Sequence, residues 1–190
     1  MSCEQEGQCS GANWGEKMGA EGVPDSLRHF VWHVLGRMRE SGVSELEVEA
    51  ESREYSAARF ECFGKKCLFR QAKTTPRKAG QFVTIWKRVE PEAPIAPFDI
   101  ADPVDIVVVA VQDAENRGYF VFGKALLARK RVFSNGAKEG KRAMRVYAPW
   151  VEVTSAQARR TQAWQGACFV SVPVVGDAQY LAELFYAPSV

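Results

Sequence analysis

The most constraining feature of this 190-residue sequence is an uninterrupted apolar run from Ile106 to Val111. The run is far shorter than the roughly 18 apolar residues that a membrane-spanning helix needs, and its length suits a buried β-strand. A strand that is apolar on both sides must be covered on both faces. The run therefore predicts a central β-sheet between helices, which a chain with 46% hydrophobic residues is able to enclose as one globular domain.

Alternation of apolar and polar residues predicts the other strands of this sheet. Residues 58–73 alternate around a turn at 64–66, which predicts a hairpin whose second strand carries Gln71 and Lys73 on one face. Further strands are predicted at 82–88, 119–122, 142–147 and 168–172. Prolines at positions 91, 94, 97 and 103 indicate a loop before the apolar run.

Helical periodicity and capping residues predict the helices that cover the sheet. The clearest amphipathic pattern begins at Pro24 and stops at Gly42. Ser44 and Glu47 form a capping box, which predicts a second helix running to about Tyr55. Shorter helices are predicted near Leu126, from Thr154-Ser155 to Gln165, and after Asp177.

Residues 1–22 lack periodicity and are predicted to form a flexible tail before a single mixed α/β domain at 23–190. The N-terminus does not have the pattern of a secretory signal, and the five cysteines are an odd number without a CxxC spacing. These features predict reduced thiols and a cytoplasmic protein.

The formal net charge of +2 is the result of a cancellation between blocks of opposite sign. Residues 59–88 carry nine bases and one acid, and residues 117–160 carry eleven bases and two acids. The compensating acids lie mainly at 1–58 and 89–116. If the fold brought the two basic blocks to one face, they would form a patch for a polyanion; otherwise they are solvated strand surfaces.

A mixture of cations, hydroxyls, amides and glycine N–H groups is what contacts phosphate oxygens, and it is densest at 70–82. A second basic segment begins at Lys138, and a third at Arg159. Aromatic residues near these bases would suit stacking on unpaired bases, although tryptophans of this kind usually lie in a core. The predicted nucleic-acid contacts are Arg70, Lys73, Thr75, Lys78, Gln81, Lys141, Arg142, Arg145, Tyr147 and Gln162.

Two alternatives to simple nucleic-acid binding remain open from the residues. The first is a nuclease or phosphodiesterase in which Glu51, Gln71 and Lys73 act on a phosphate with Mg²⁺, although Gln71 lacks the charge that a metal prefers. The second is a module that binds an anionic metabolite or a protein partner. His29 and His33 lack the glutamate of an HExxH site and are interpreted as ordinary helix residues. The cofactor prediction is none for a binding protein, and Mg²⁺ if the protein is a nuclease.

Several blocks of sequence together resemble the MepB-like family of bacterial proteins. They occur in the family's order across about residues 44–170, and they are RQAKTTPRKAGQFVTIWKR (70–88), GYFVF (118–122), GKRAMRVY (140–147) and TQAWQ (161–165). Pro97-Phe98, Asp102 and Asp105 also fit, and the family's glutamate four residues before a tyrosine falls on Glu51 and Tyr55. The resemblance implies a restriction-endonuclease-like fold and the binding of DNA or RNA, without establishing cleavage.

Overall fold

The computed structural model describes residues 21–38, 42–136, 138–174 and 179–186. Helices α1 to α4 span Asp25–His33, Lys124–Arg129, Ala156–Gly166 and Gln179–Tyr186, with short 3-10 helices at Leu35–Arg37 and Arg53–Tyr55. Strands β1 to β6 span Val43–Val48, Ala58–Cys62, Lys65–Gln71, Lys73–Thr74, Gln81–Thr84 and Trp86–Lys87. Strands β7 to β11 span Ala96–Pro97, Ile106–Gln112, Arg117–Gly123, Ala143–Val146 and Phe169–Ser171.

A six-stranded sheet in the order β1-β2-β3-β8-β9-β11 forms the centre of the fold. All neighbouring strands are antiparallel except β3 and β8, which run parallel from the Cys67–Ile106 pair onward. The apolar run is strand β8, all of whose residues before Gln112 are buried. The predicted central sheet is therefore confirmed, and the fold is a mixed α+β architecture.

Side chains alternate along β8 between two hydrophobic cores, one on each face of the sheet. Ile106 and Val108 join the core that α1 and α4 cover, together with Phe30 and Phe185. The intervening residues 107, 109 and 111 join a second core beneath α2, α3 and the strands β5 and β10. Because each face has its own cover, the apolar run is removed from water on both sides, as its composition requires.

The segment between the parallel strands β3 and β8 forms small sheets instead of the helix usual in such a crossover. Strands β10-β5-β4 form one sheet, and β6-β7 form another. The single strand predicted at 82–88 is thus two strands, because β5 ends at Thr84 and β6 pairs with β7. Likewise β3 ends at Gln71, and Lys73 belongs to β4 in a different sheet.

The helix predicted from Ser44 to Tyr55 is wrong. Residues 43–48 form the edge strand β1, which pairs with β2 through Val43–Cys62 and Glu47–Arg59, with a register shift between Ser44 and Glu47. Only a 3-10 turn at Arg53–Tyr55 is helical there. A capping box describes local chemistry alone, whereas the hydrogen bonds of an edge strand come from a partner elsewhere in the chain.

The remaining predicted elements agree with the structure where it describes them. The hairpin and the strands at 119–122, 142–147 and 168–172 are confirmed within one or two residues at most ends. The amphipathic first helix begins as predicted, but it ends at His33, and only the 3-10 turn Leu35–Arg37 continues it towards Gly42. Ser155 caps α3 by accepting a hydrogen bond from Ala158 N. Residues 1–20 of the predicted tail and the predicted cap Asp177 lie outside the described residues. No helix among the described residues is both long enough and apolar enough to cross a bilayer.

Candidate nucleic-acid interface

Pairing between β5 and β10 brings the two basic blocks of the sequence into contact. Arg145 of β10 lies opposite Phe82 of β5. Its guanidinium group donates hydrogen bonds to the carbonyl oxygens of Ala79 and Gly80, both at 3.2 Å, and to Thr75 Oγ1 at 2.6 Å. Arg145 therefore holds the turn at 75–80, on which Arg77 and Lys78 are exposed.

A groove of about 260 Å³ lies between β10 and α3, and we call it the β10–α3 groove. The side chains that give it its chemistry are Lys130, Lys141, Arg145, Tyr147, Thr161 and Trp164. Its described lining thus contains three cations and no carboxylate. Among the described residues, neither Lys130 nor Lys141 forms an ion pair with an acid, so both charges are available to an anion.

Gln165 fixes the two walls of this groove to each other. The side chain of Gln165 on α3 is fully buried. Its Oε1 accepts a hydrogen bond from Tyr147 N and its Nε2 donates one to Arg145 O, both at 2.9 Å. Both polar atoms of a buried amide are therefore satisfied by the backbone at the end of β10, which holds α3 at one spacing from the strand.

Two aromatic rings of the groove are packed against its walls. Trp164 lies 5.5 Å from Phe122 between ring centroids, and Lys130 Nζ lies 5.5 Å from the Trp164 ring. Tyr147 packs on Gly80, where a Cβ would lie 2.6 Å from Tyr147 Cδ1. Gly80 also has a φ of +71°, so a glycine is required there both for backbone conformation and for space.

Comparison with known proteins identifies the family. A model of the MepB-like family matches residues 49–171, which include β5, β10, α3 and the groove between them. The chain belongs to the MepB-like family. It is similar to the solved crystal structure of MepB, with a TM-score of 0.66 and 33% sequence identity, over 72% of this chain and 91% of that chain. None of the curated proteins matches the chain.

The predicted contacts of this MepB-like protein are partly brought together. Lys141, Arg145 and Tyr147 line the groove, and Thr75 and Lys78 lie on the turn that Arg145 holds. Gln81 is nearby in β5, and its Nε2 donates hydrogen bonds to Thr74 Oγ1 at 3.0 Å and Gln112 O at 2.9 Å.

Other predicted contacts have structural partners instead. Arg70 is only 2% exposed, and its Nη2 lies 2.6 Å from Glu49 Oε2. Gln162 donates to the carbonyl oxygens of Ala148 and Val151, at 3.0 and 2.8 Å, and so braces the loop before α3. Arg142 pairs with Glu139 at 2.9 Å. In this conformation Arg70 is not accessible to a phosphate of a nucleic acid.

The three residues predicted to be catalytic have separate partners. Glu51 pairs with Arg88 at 2.9 Å, and Gln71 Oε1 accepts hydrogen bonds from Ser26 Oγ at 2.8 Å and Ser56 Oγ at 3.3 Å. The prediction that Lys73 and Gln71 share one strand face is wrong, because β3 ends at Gln71 and Lys73 lies in β4. Its Nζ lies 3.1 Å from a carboxylate oxygen of Glu54 and 4.6 Å from the ring centroid of Tyr55.

The part of the chain that the structure describes contains no group of three or more His, Cys, Asp or Glu side chains placed to hold a metal ion. The rings of His29 and His33 are tilted by 32° with centroids 4.2 Å apart, and His29 Nδ1 lies 2.9 Å from the Tyr119 hydroxyl. Burial lowers the pKa of His29, with smaller contributions from Arg117 and His33. The neutral imidazole is favoured there, as expected for a helix residue packed on the sheet.

Sequence reasoning missed Lys130 as a groove residue. Lys130 follows the short helix α2 and points its charge at Trp164, 34 residues further along the chain. The only signal was the basic run Arg129-Lys130-Arg131, which is indistinguishable in sequence from a solvated surface.

Proposed function

We propose that this MepB-like protein binds nucleic acid along the β10–α3 groove, chiefly through phosphate groups. The observation that carries the proposal is the contact of Arg145 with the turn at 75–80. That contact joins both basic blocks beside a groove whose described lining has three cations and no acid. Phosphate contacts of this kind supply most of the non-specific affinity of proteins for nucleic acids.

The groove residues have different parts in this proposal. Lys141 and Lys130 present charges without an acidic partner among the described residues, so they are the expected phosphate ligands. Arg145 contributes its charge, but three of its hydrogen bonds position the turn. Lys73 is paired with Glu54, so it should contribute less than its place in the basic block suggests.

The test is a salt titration of binding to labelled 20-nucleotide single-stranded DNA, single-stranded RNA and duplex DNA. The logarithm of the association constant should fall linearly with the logarithm of salt concentration. Lys141→Ala should flatten the slope by about 0.7 to 0.9 because one phosphate contact is lost. The control is Lys66→Ala, which removes an exposed lysine from a cleft lined by Glu45, Glu47 and Glu61.

Binding that does not depend on salt, or an absence of binding at 50 mM salt, would overturn the proposal. An equal change of slope in the two lysine variants would also count against the groove, because it would show that total charge alone controls binding.

The resemblance implies a finer fold assignment, a restriction-endonuclease-like sheet. What supports it is a mixed central sheet with one parallel pair, β3 and β8. We do not extend this proposal to cleavage, because Glu51, Gln71 and Lys73 are engaged by Arg88, by Ser26 and Ser56, and by Glu54, respectively.

A further inference from the structure

A second cleft, of about 230 Å³, is lined by residues of β2, β3 and β6 and by the segment 49–52 that follows β1, and we call it the Arg59–Arg70 cleft. Its charged lining residues are Glu49, Glu51, Arg59, Arg70, Lys87 and Arg88. None of these six lines the β10–α3 groove, so the two sites are built from different side chains.

One carboxylate in this cleft serves two guanidinium groups. Glu49 Oε1 lies 2.6 Å from Arg59 Nε, and Glu49 Oε2 lies 2.6 Å from Arg70 Nη2. The Arg70 side chain is 3% exposed and that of Glu49 is 17% exposed, whereas that of Arg59 is 37% exposed. The cluster is therefore a largely buried carboxylate between one buried and one accessible arginine.

The other charges around the cleft balance one another. Arg88 pairs with Glu51 at 2.9 Å, and Lys87 pairs with Asp102 at 2.5 Å. Subtracting these two neutral pairs leaves Arg59, Arg70 and Glu49, whose three charges sum to +1, while Arg59 also lines a neighbouring cleft with Glu45, Glu47 and Glu61. That excess charge is held where water is partly excluded.

An uncompensated charge near a protein interior is costly, and a bound counter-ion relieves it. Burial lowers the pKa of Arg70, the carboxylate of Glu49 raises it, and the charge of Arg59 lowers it. Arg59 therefore repels Arg70 across the carboxylate that they share. An anion seated on the exposed side of Arg59 would turn this repulsion into an attraction of both arginines for the anion.

Guanidinium groups offer paired N–H donors in a plane, which match the oxygens of a phosphate group. Arg59 uses Nε for Glu49, and no other polar partner of its guanidinium is found among the described residues. Ser52 adds a hydroxyl to the rim of the cleft, and Trp86 adds an aromatic surface that Arg88 partly covers.

We propose that the Arg59–Arg70 cleft binds the phosphate group of a phosphate monoester. The negative charge of the phosphate offsets the excess positive charge of the Arg59–Glu49–Arg70 cluster. Arg59 contacts the phosphate directly, and the buried Arg70 contributes its positive charge from below. This inference is independent of nucleic-acid binding in the β10–α3 groove. The monoester is either a free small molecule or the terminal phosphate of a nucleic acid.

The test measures binding of inorganic phosphate and of adenosine 5′-monophosphate by isothermal titration calorimetry, in chloride buffer of constant ionic strength. The wild-type chain should bind both ligands. Arg59→Gln should weaken binding at least tenfold, and Arg59→Lys should weaken it less because the charge remains while the paired donors are lost. Arg142→Gln, which breaks an exposed ion pair outside the cleft, should change the affinity less than twofold.

A comparison of oligonucleotides with and without a 5′-phosphate separates the two sources of the monoester. Tighter binding of the phosphorylated strand, lost in Arg59→Gln, would assign the cleft to nucleic-acid ends, whereas an effect with adenosine 5′-monophosphate alone would assign it to free monoesters. The proposal would be overturned if phosphate released no more heat than a matched titration with chloride. It would also be overturned if Arg59→Gln bound phosphate as tightly as the wild-type chain. Phosphate binding that persists in a chain unable to bind oligonucleotides would leave this inference standing and reject the function proposed for the groove.

Discussion

Gln165 is the single side chain on which the shape of the β10–α3 groove depends most. A buried glutamine must satisfy both a donor and an acceptor, and Gln165 does so with the backbone of Tyr147 and Arg145. Each partner belongs to a residue that also carries a groove side chain. A residue that is chemically inert thus determines where Arg145 and Tyr147 stand relative to α3.

Substituting Gln165 should therefore cost stability through two unsatisfied backbone groups. Gln165→Ala is expected to lower the free energy of unfolding by about 2 to 4 kcal/mol, because an orphaned buried polar group costs about 1 to 3 kcal/mol. Gln165→Glu still accepts the hydrogen bond from Tyr147 N, so less stability is lost through hydrogen bonding than in the alanine variant. It also places a charged carboxylate in a buried position, which has its own cost. Urea denaturation measures both.

The control for this substitution is Gln157→Ala on the same helix. Gln157 is exposed, so its removal should change the free energy of unfolding by no more than about 0.5 kcal/mol. Equal stability of the two alanine variants would show that the paired hydrogen bonds of Gln165 are not important for holding α3 on β10.

At the scale of whole elements, the sequence predicted those whose pattern is set by their own burial. Strand β8 and helix α1 have apolar residues at positions dictated by the faces they bury, so their type follows from periodicity. Strand β1 exposes four of its six residues, so its sequence carries little signal and its polar residues mimic a helix start. Its identity as a strand comes from pairing with β2, which no local pattern encodes.

Contact between β9 and β11 gives a prediction at this scale, because a glycine makes room for an aromatic ring. A Cβ at Gly118 would lie 2.2 Å from Phe169 Cζ, whose ring also packs on Phe120 at 5.1 Å between centroids. Gly118→Ala should push β11 away from β9 and lower the free energy of unfolding by about 1 to 3 kcal/mol, the usual cost of overpacking. Thermal and urea denaturation measure the loss.

Gly42→Ala is the matched substitution, because no atom of the described residues lies within 4 Å of the position a Cβ would take there. That variant should be unchanged or more stable by up to about 1 kcal/mol, through a less flexible unfolded chain. If Gly118→Ala is as stable as Gly42→Ala, the close approach of Phe169 does not constrain the edge of the sheet.

For the molecule as a whole, the total charge of +2 conceals the arrangement that matters. At least five of the nine arginines and lysines of the first basic block form ion pairs, as with Lys73 and Glu54 or Arg88 and Glu51. The second block leaves Lys130 and Lys141 free of acidic partners among the described residues, in one groove with Arg145. The sequence supplied Lys141, Arg145 and Tyr147 as candidates, but not Lys130, because its place in the groove depends on contact with Trp164, 34 residues further along the chain.

Charge reversal at two lysines separates the arrangement of charge from its sum. Lys141→Glu and Lys66→Glu each change the formal net charge from +2 to 0, yet only the first alters the β10–α3 groove. Because a polyanion responds to the local field of a cationic cleft, Lys141→Glu should elute from heparin at clearly lower salt than the wild-type chain. Lys66→Glu should elute close to wild type, provided that circular dichroism shows both variants melting cooperatively. Equal shifts in the two variants would mean that the polyanion senses net charge alone, and the convergence of the basic blocks would then have no functional consequence.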